Sequence, residues 1–111
     1  MRFLFLVCTD ATAEPYNAAD DNINTWVSEL DERGARVMGD RLRPYEEAVA
    51  VKRRDGKVVV SDGPFAEAKE VIGGFDVIEC ADRDEAIEIA SKHPMARFGQ
   101  IEVRAFWPFD Q

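Results

Sequence analysis

The chain has 111 residues, 46% of them hydrophobic and 32% charged. That length and mixture suit one soluble globular domain spanning residues 1–111, and they exclude an intrinsically disordered chain. A formal charge of −8, from 22 acidic against 14 basic residues, disfavours nucleic acid and anionic membrane as partners, because phosphate is met by Lys and Arg.

The opening run MRFLFLVCTD has an apolar core too short for a signal peptide. No stretch approaches the roughly 18 apolar residues of a membrane span. A cytoplasmic location is therefore expected. Residues 2–9 read as a strand whose two alternate sets, Phe3/Phe5/Val7 and Leu4/Leu6/Cys8, are both apolar, as in a central strand covered on both faces. Residues 18–33 follow as a helix. Ile23, Trp26, Val27 and Leu30 make one apolar stripe, Asp20 and Asp21 suit its positive end, and Gly34 stops it.

Residues 35–42 form a weaker extended stretch, interrupted by Pro44. Two β-rich runs, 48–53 and 57–60, then flank Asp55-Gly56, a dipeptide that tolerates the positive φ of a tight hairpin turn. The basic residues Lys52, Arg53, Arg54 and Lys57 around it read as a solvated tip. The run SDGPFAEAKEVIGGF, residues 61–75, comes next. Asp62 can turn its carboxylate onto backbone N–H groups, Gly63 permits positive φ, Pro64 restricts φ, and Phe65 offers an apolar anchor. Residues 66–72 read as a loop.

Residues 74–80 form the next strand. Asp82 opens a second helix with Glu85 three residues on, a capping-box pattern; Ala86, Ile87 and Ala90 are expected inside, and Pro94 ends it. Residues 100–107 are the last strand. The resulting order, β-α-β-(hairpin)-β-α-β, predicts an α+β ferredoxin-like split βαβ plan. It has an inserted β-hairpin and a four-stranded main antiparallel sheet with both helices on one face. Taking the first strand and the strand before the second helix as parallel neighbours places Cys8 and Cys80 near each other, reduced and buried. The other sheet face is too apolar to stay wet, whichever of Phe3, Phe5, Ile101 and Phe106 points there. A homodimer covering it is expected, with the tail Phe106-Trp107-Pro108-Phe109 docked on the partner or rimming a cavity.

The motif DGPFAEAKEVIGGF at residues 62–75, the hairpin VKRRDGKVVVSDGPF, the segment ADRDEAIEIASKHP and the strand IEVR resemble the DGPF branch of the YCII-related family. The resemblance covers nearly the whole chain. It implies a dimeric α+β barrel enclosing clefts between the sheets. Some relatives look like small-molecule enzymes with a suggested His–Asp pair; others are associated with extracytoplasmic-function sigma factors, which implies a non-catalytic regulatory role as the alternative. This chain departs from that pattern. Its first helix has no histidine, and its only one, His93, lies near where relatives carry the paired Asp. Ala68 replaces a usual Thr, and Asp76 stands where an aromatic is common.

Several residues are candidates for a site. Asp62 with Glu67 would supply paired carboxylates for acid–base work, and Phe65 an apolar contact. Lys69 or Arg104 would hold an anionic ligand; Arg104 shares a strand face with Glu102, and the two also read as a self-satisfied ion pair. His93 reads as a catalytic base or, beside Pro94, as a group interacting with the helix end. Asp76, on a central strand, must find a cation or backbone donor, or face a wet opening. No metal cluster, phosphate loop, dinucleotide fingerprint or serine-nucleophile turn occurs, so no cofactor is expected. The reading is a cytoplasmic homodimer that binds a small molecule and performs weak acid–base chemistry.

Overall fold

The computed structural model describes residues 1–63 and 70–111. Pro64, Phe65, Glu67 and Lys69 lie outside the described residues. In chain order the elements are β1 (Arg2–Cys8), α1 (Ile23–Glu32), β2 (Arg36–Arg41), β3 (Val49–Arg54), β4 (Lys57–Asp62), β5 (Ile72–Glu79), α2 (Arg83–Ser91), the short α3 (Met95–Phe98) and β6 (Gln100–Ala105). Short 3-10 turns cover Ala18–Asp20 and Tyr45–Glu47.

Four strands form one antiparallel sheet in the order β2-β5-β1-β6, and β3-β4 form a separate two-stranded ribbon. This is the split βαβ arrangement: each crossover leaves a gap that an antiparallel strand fills. The expected parallel pairing of β1 with β5 is therefore corrected to an antiparallel one. Cys8 lies opposite Ile72 and Gln100 at one end of the sheet, while the Cys80 N–H donates to the Met1 carbonyl at the other end. The two thiols are free and far apart in register, and burial pushes both upward in pKa.

Strand alternation assigns the two sheet faces. Phe3 lies opposite Ile78, and Phe5 opposite Asp76 and Val103, so these side chains share a face. Phe3, Phe5 and Ile78 are fully buried there against Trp26 and Leu30 of α1 and Ala86, Ile89 and Ala90 of α2. Both helices thus cover the same face. The Trp26 indole N–H donates to the Ile89 carbonyl at 2.9 Å, tying α1 to α2. Ile87, expected inside, is exposed, and Ile89 takes its place.

The opposite face carries Leu4, Leu6, Phe75 and Val77, all half-buried, with Met38 exposed. It is apolar, as expected, but through the set that excludes Phe3 and Phe5. Trp107 and Phe109 stand exposed beyond β6.

The first helix is shorter than its hydrophobic period suggests. The Asn17 side chain accepts the Ala19 N–H at 3.1 Å, and Asp21 accepts that of Ile23 at 3.1 Å. Side chains that capture backbone donors this way compete with helical bonding, so a 3-10 turn precedes α1. The second capping signal is realised: Asp82 accepts the Glu85 N–H at 2.9 Å, and Glu85 reaches back to the Ala81 N–H at 3.3 Å. At the ribbon tip Asp55 and Gly56 have φ of 52° and 75°, the turn their identities require.

Candidate functional site

The strand period that buries Phe5 and Ile78 also turns Asp76 inward from β5, where it is buried. A carboxylate in that position needs a charged partner. Arg36 on β2 provides it, its Nε donating to Asp76 Oδ1 at 3.0 Å. Its Nη2 donates to the Gly39 carbonyl at 2.9 Å, and its Nη1 is 4.0 Å from Asp31. The β2–β5 register shifts between Arg36 and Met38, an irregularity of the kind that re-aims side chains. Gly39 sits directly opposite Asp76; a Cβ there would overlap Asp76 Oδ1 and come within 2.8 Å of Arg36 Nη2. The missing side chain makes room for the ion pair.

His93 approaches from the α2–α3 junction. Its ring is buried and packs edge-on against Trp26, centroids 4.6 Å apart at 65°. Its Nδ1 accepts the Met95 N–H at 3.0 Å, and its Nε2 lies 4.0 Å from Asp76 Oδ2. A lone pair committed at Nδ1 puts the proton of the neutral ring on Nε2, directed toward Asp76. The expectation that His93 serves the negative end of the preceding helix is corrected: the ring accepts from the first turn of α3 instead.

Burial drives both titrations. It pushes His93 down from 6.5 to about 4, with Asp21 opposing weakly. It pushes the Asp76 carboxyl up, against the lowering effect of the Arg36 hydrogen bond and charge; Asp40 adds to the rise. Burial thus disfavours the charged form of each group.

These residues lie on a cavity of about 590 Å³. Its walls come from β2, β5, the start of α1 and the α2–α3 junction, with Tyr16 and Asp21 at one side. Tyr16 donates its hydroxyl to Asp21 Oδ2 and packs edge-on against Phe98, ring centroids 5.3 Å apart. Gly73 and Gly74 line the cavity too. Arg41 also lines the cavity and has no ion-pair partner among the described residues. No group of three or more His, Cys, Asp or Glu among the described residues is placed to hold a metal.

Of the sequence candidates, the structure brings together His93 and Asp76. Asp62 is exposed at the end of β4, opposite Val49, and does not line this cavity. Arg104 and Glu102 are exposed on the open sheet face, opposite Leu4 and Leu6, and no ion pair joins them among the described residues. Phe65, Glu67 and Lys69 lie outside the described residues. Sequence reasoning missed Arg36, Gly39, Tyr16 and Asp21. The signal for Arg36 was present, since a central-strand Asp demands a cation from a neighbouring strand.

Residues 1–110 match the family model of the YCII-related domain. The chain belongs to the YCII-related family. An uncharacterised protein of Rhizobium meliloti (strain 1021) is 34% identical, over 77% of this chain and 83% of that protein. The solved 5-chloro-2-hydroxyhydroquinone dehydrochlorinase from Burkholderia phenoliruptrix AC1100, in complex with 2,5-dihydroxybenzoquinone, is 15% identical. It covers 99% of this chain and 97% of its own, with a TM-score of 0.50. That likeness shows a shared fold for this YCII-related chain. No helix among the described residues is long and apolar enough to cross a membrane.

Proposed function

We propose that this YCII-related protein is a homodimer that binds a small organic molecule in the Asp76–His93 cavity and moves a proton on it. The observation that carries this reading is the buried Asp76, paired with a half-buried Arg36 and facing a neutral His93, on a cavity of about 590 Å³. Cavities of this size suit small organic ligands. Perturbed titratable groups in a cavity are the common mark of a working site.

Two roles follow from the hydrogen bonds. Asp76 is the proton acceptor: desolvation makes its carboxylate a stronger base than a solvated one, and Arg36 keeps it oriented. His93 is a hydrogen-bond donor through Nε2–H, suited to an oxygen that gains negative charge when the substrate loses its proton. Arg41 adds positive charge at the cavity wall. The dehydrochlorinase of the same fold was solved with 2,5-dihydroxybenzoquinone, so hydroxylated ring compounds are the first ligand class to examine. The reading as a non-catalytic module contacting a sigma factor draws support only from exposed apolar surface.

The test is a titration of hydroxylated aromatics and quinones by calorimetry against wild type, Asp76→Asn and His93→Gln. Binding by wild type that both variants weaken at least about tenfold supports the site. Unchanged affinity in both removes the cavity from the function.

A further inference from the structure

Two arginines line the cavity, in unlike states. Arg36 is committed within the fold, its three nitrogens facing Asp76, the Gly39 carbonyl and Asp31. Arg41, two residues beyond Gly39 on β2, is exposed and reaches no carboxylate among the described residues. Its backbone is nonetheless fixed: it lies opposite Gly74 in the sheet, and the next N–H, that of Leu42, donates to the Gly73 carbonyl at 2.8 Å. Residues two apart on a strand share a face, so Arg41 stands on the face of Gly39 and Asp76, the one the helices cover. Its neighbours there, Gly39 along β2 and Gly74 across, have no side chain to pair with it.

The carboxylates around the cavity are engaged elsewhere. Asp76 is held by Arg36. Asp21 accepts the Ile23 N–H at 3.1 Å on Oδ1 and the Tyr16 hydroxyl on Oδ2. Asp40 alternates to the other sheet face, opposite Phe75. The cavity therefore offers a buried anion at Asp76, an exposed cation at Arg41, and apolar wall from Val7, Ile23, Val27 and Met95. The register positions of Asp76 and Arg41 are about 7 Å apart along β2, within reach of one small ring compound. The charges decide which way round it lies. A carboxylate is repelled at Asp76 and matched at Arg41, whose fork of donors meets two carboxylate oxygens at once.

We infer that Arg41 is the specificity-determining residue of this cavity: it takes the carboxylate of a small hydroxylated aromatic acid and so points the rest of the ring at Asp76 and His93. The inference rests on the ligand-binding reading above and narrows its ligand class from hydroxylated rings in general to those that carry an acid group.

The test compares each dihydroxybenzoate isomer with its uncharged dihydroxybenzamide, at neutral pH and low salt, on wild type, Arg41→Gln and Arg41→Lys. Binding is followed through the ring proton resonances of His93, the only histidine in the chain, so ligand held elsewhere on the surface is not counted. Arg41 is exposed, and both variants are expected to keep the wild-type circular dichroism spectrum. In wild type at least one acid is expected to bind about tenfold tighter than its amide, or more. Arg41→Gln brings the two within about twofold, and Arg41→Lys keeps part of the preference. Amides that bind wild type as tightly as their acids overturn the role of Arg41 and leave the Asp76–His93 site standing. An acid preference that survives intact in Arg41→Gln does the same. No binding by any acid or amide overturns both.

Discussion

The chain uses charge and apolar surface in opposite ways at its two extremes. Under α1 and α2 an aspartate is held out of water near His93 and paired with a half-buried arginine, while on β3–β4 a row of valines stands in it. Residue type does not decide burial. What decides it is whether another element covers that face: the helices cover one face of the main sheet, and among the described residues nothing covers the valine face of the ribbon. The site therefore depends on intrachain packing, which the valines of the ribbon lack among the described residues.

The sharpest way to break the buried half is Arg36→Leu, which leaves Asp76 without its cation. About 4 kcal/mol of stability is expected to be lost at neutral pH, read by urea denaturation. The loss shrinks in acid, where Asp76 takes up a proton. Adding Asp76→Asn to the same chain recovers most of the stability; no recovery would mean the pair is not coupled.

Next in size is a pH effect of known sign. His93 is held near 4 in the fold against 6.5 when unfolded, so between those values the unfolded chain binds the proton more readily. Stability is unaffected above pH 6.5 and falls on acidification toward pH 4, by up to about 3 kcal/mol from this residue. Asp76 works the other way. Its raised folded value means that lowering pH through it relieves the cost of burying the charge. Denaturation curves across pH 4–7 are expected to flatten in His93→Gln and steepen in Asp76→Asn. A profile in His93→Gln identical to wild type would show that the ring is not buried neutral.

A smaller effect is expected at Gly39→Ala, about 2 kcal/mol from overpacking against Asp76 and Arg36, with ligand binding lost as the pair is displaced. The smallest separates the two regions directly. Asp62→Asn changes an exposed side chain and is expected to alter stability by less than about 0.5 kcal/mol. Ligand affinity in that variant should equal wild type; a loss would bring the ribbon base of a second copy into the site.

Much of the architecture was legible from local chemistry. The Asp55-Gly56 turn, the Asp82–Glu85 cap and the Trp26/Leu30 stripe each announce an element, because turn geometry, capping and periodicity operate within a few residues. Their order sufficed for the split βαβ plan. The pairing direction of β1 and β5 was misjudged, since adjacency between distant strands depends on which gap a crossover leaves. The site was half legible. Asp76 stood out as a charge on a central strand and His93 as the lone imidazole, but nothing nearby in sequence links them.

Local preferences of backbone and side chain were enough to settle the elements, their order and the apolar surplus that one copy does not bury. The partnership of Arg36, Asp76 and His93, and the cavity they share, arise only when three separate segments converge. Desolvation and ion pairing act through space, and distances of 3.0 and 4.0 Å between residues far apart along the chain exist only after the helices have closed over the sheet.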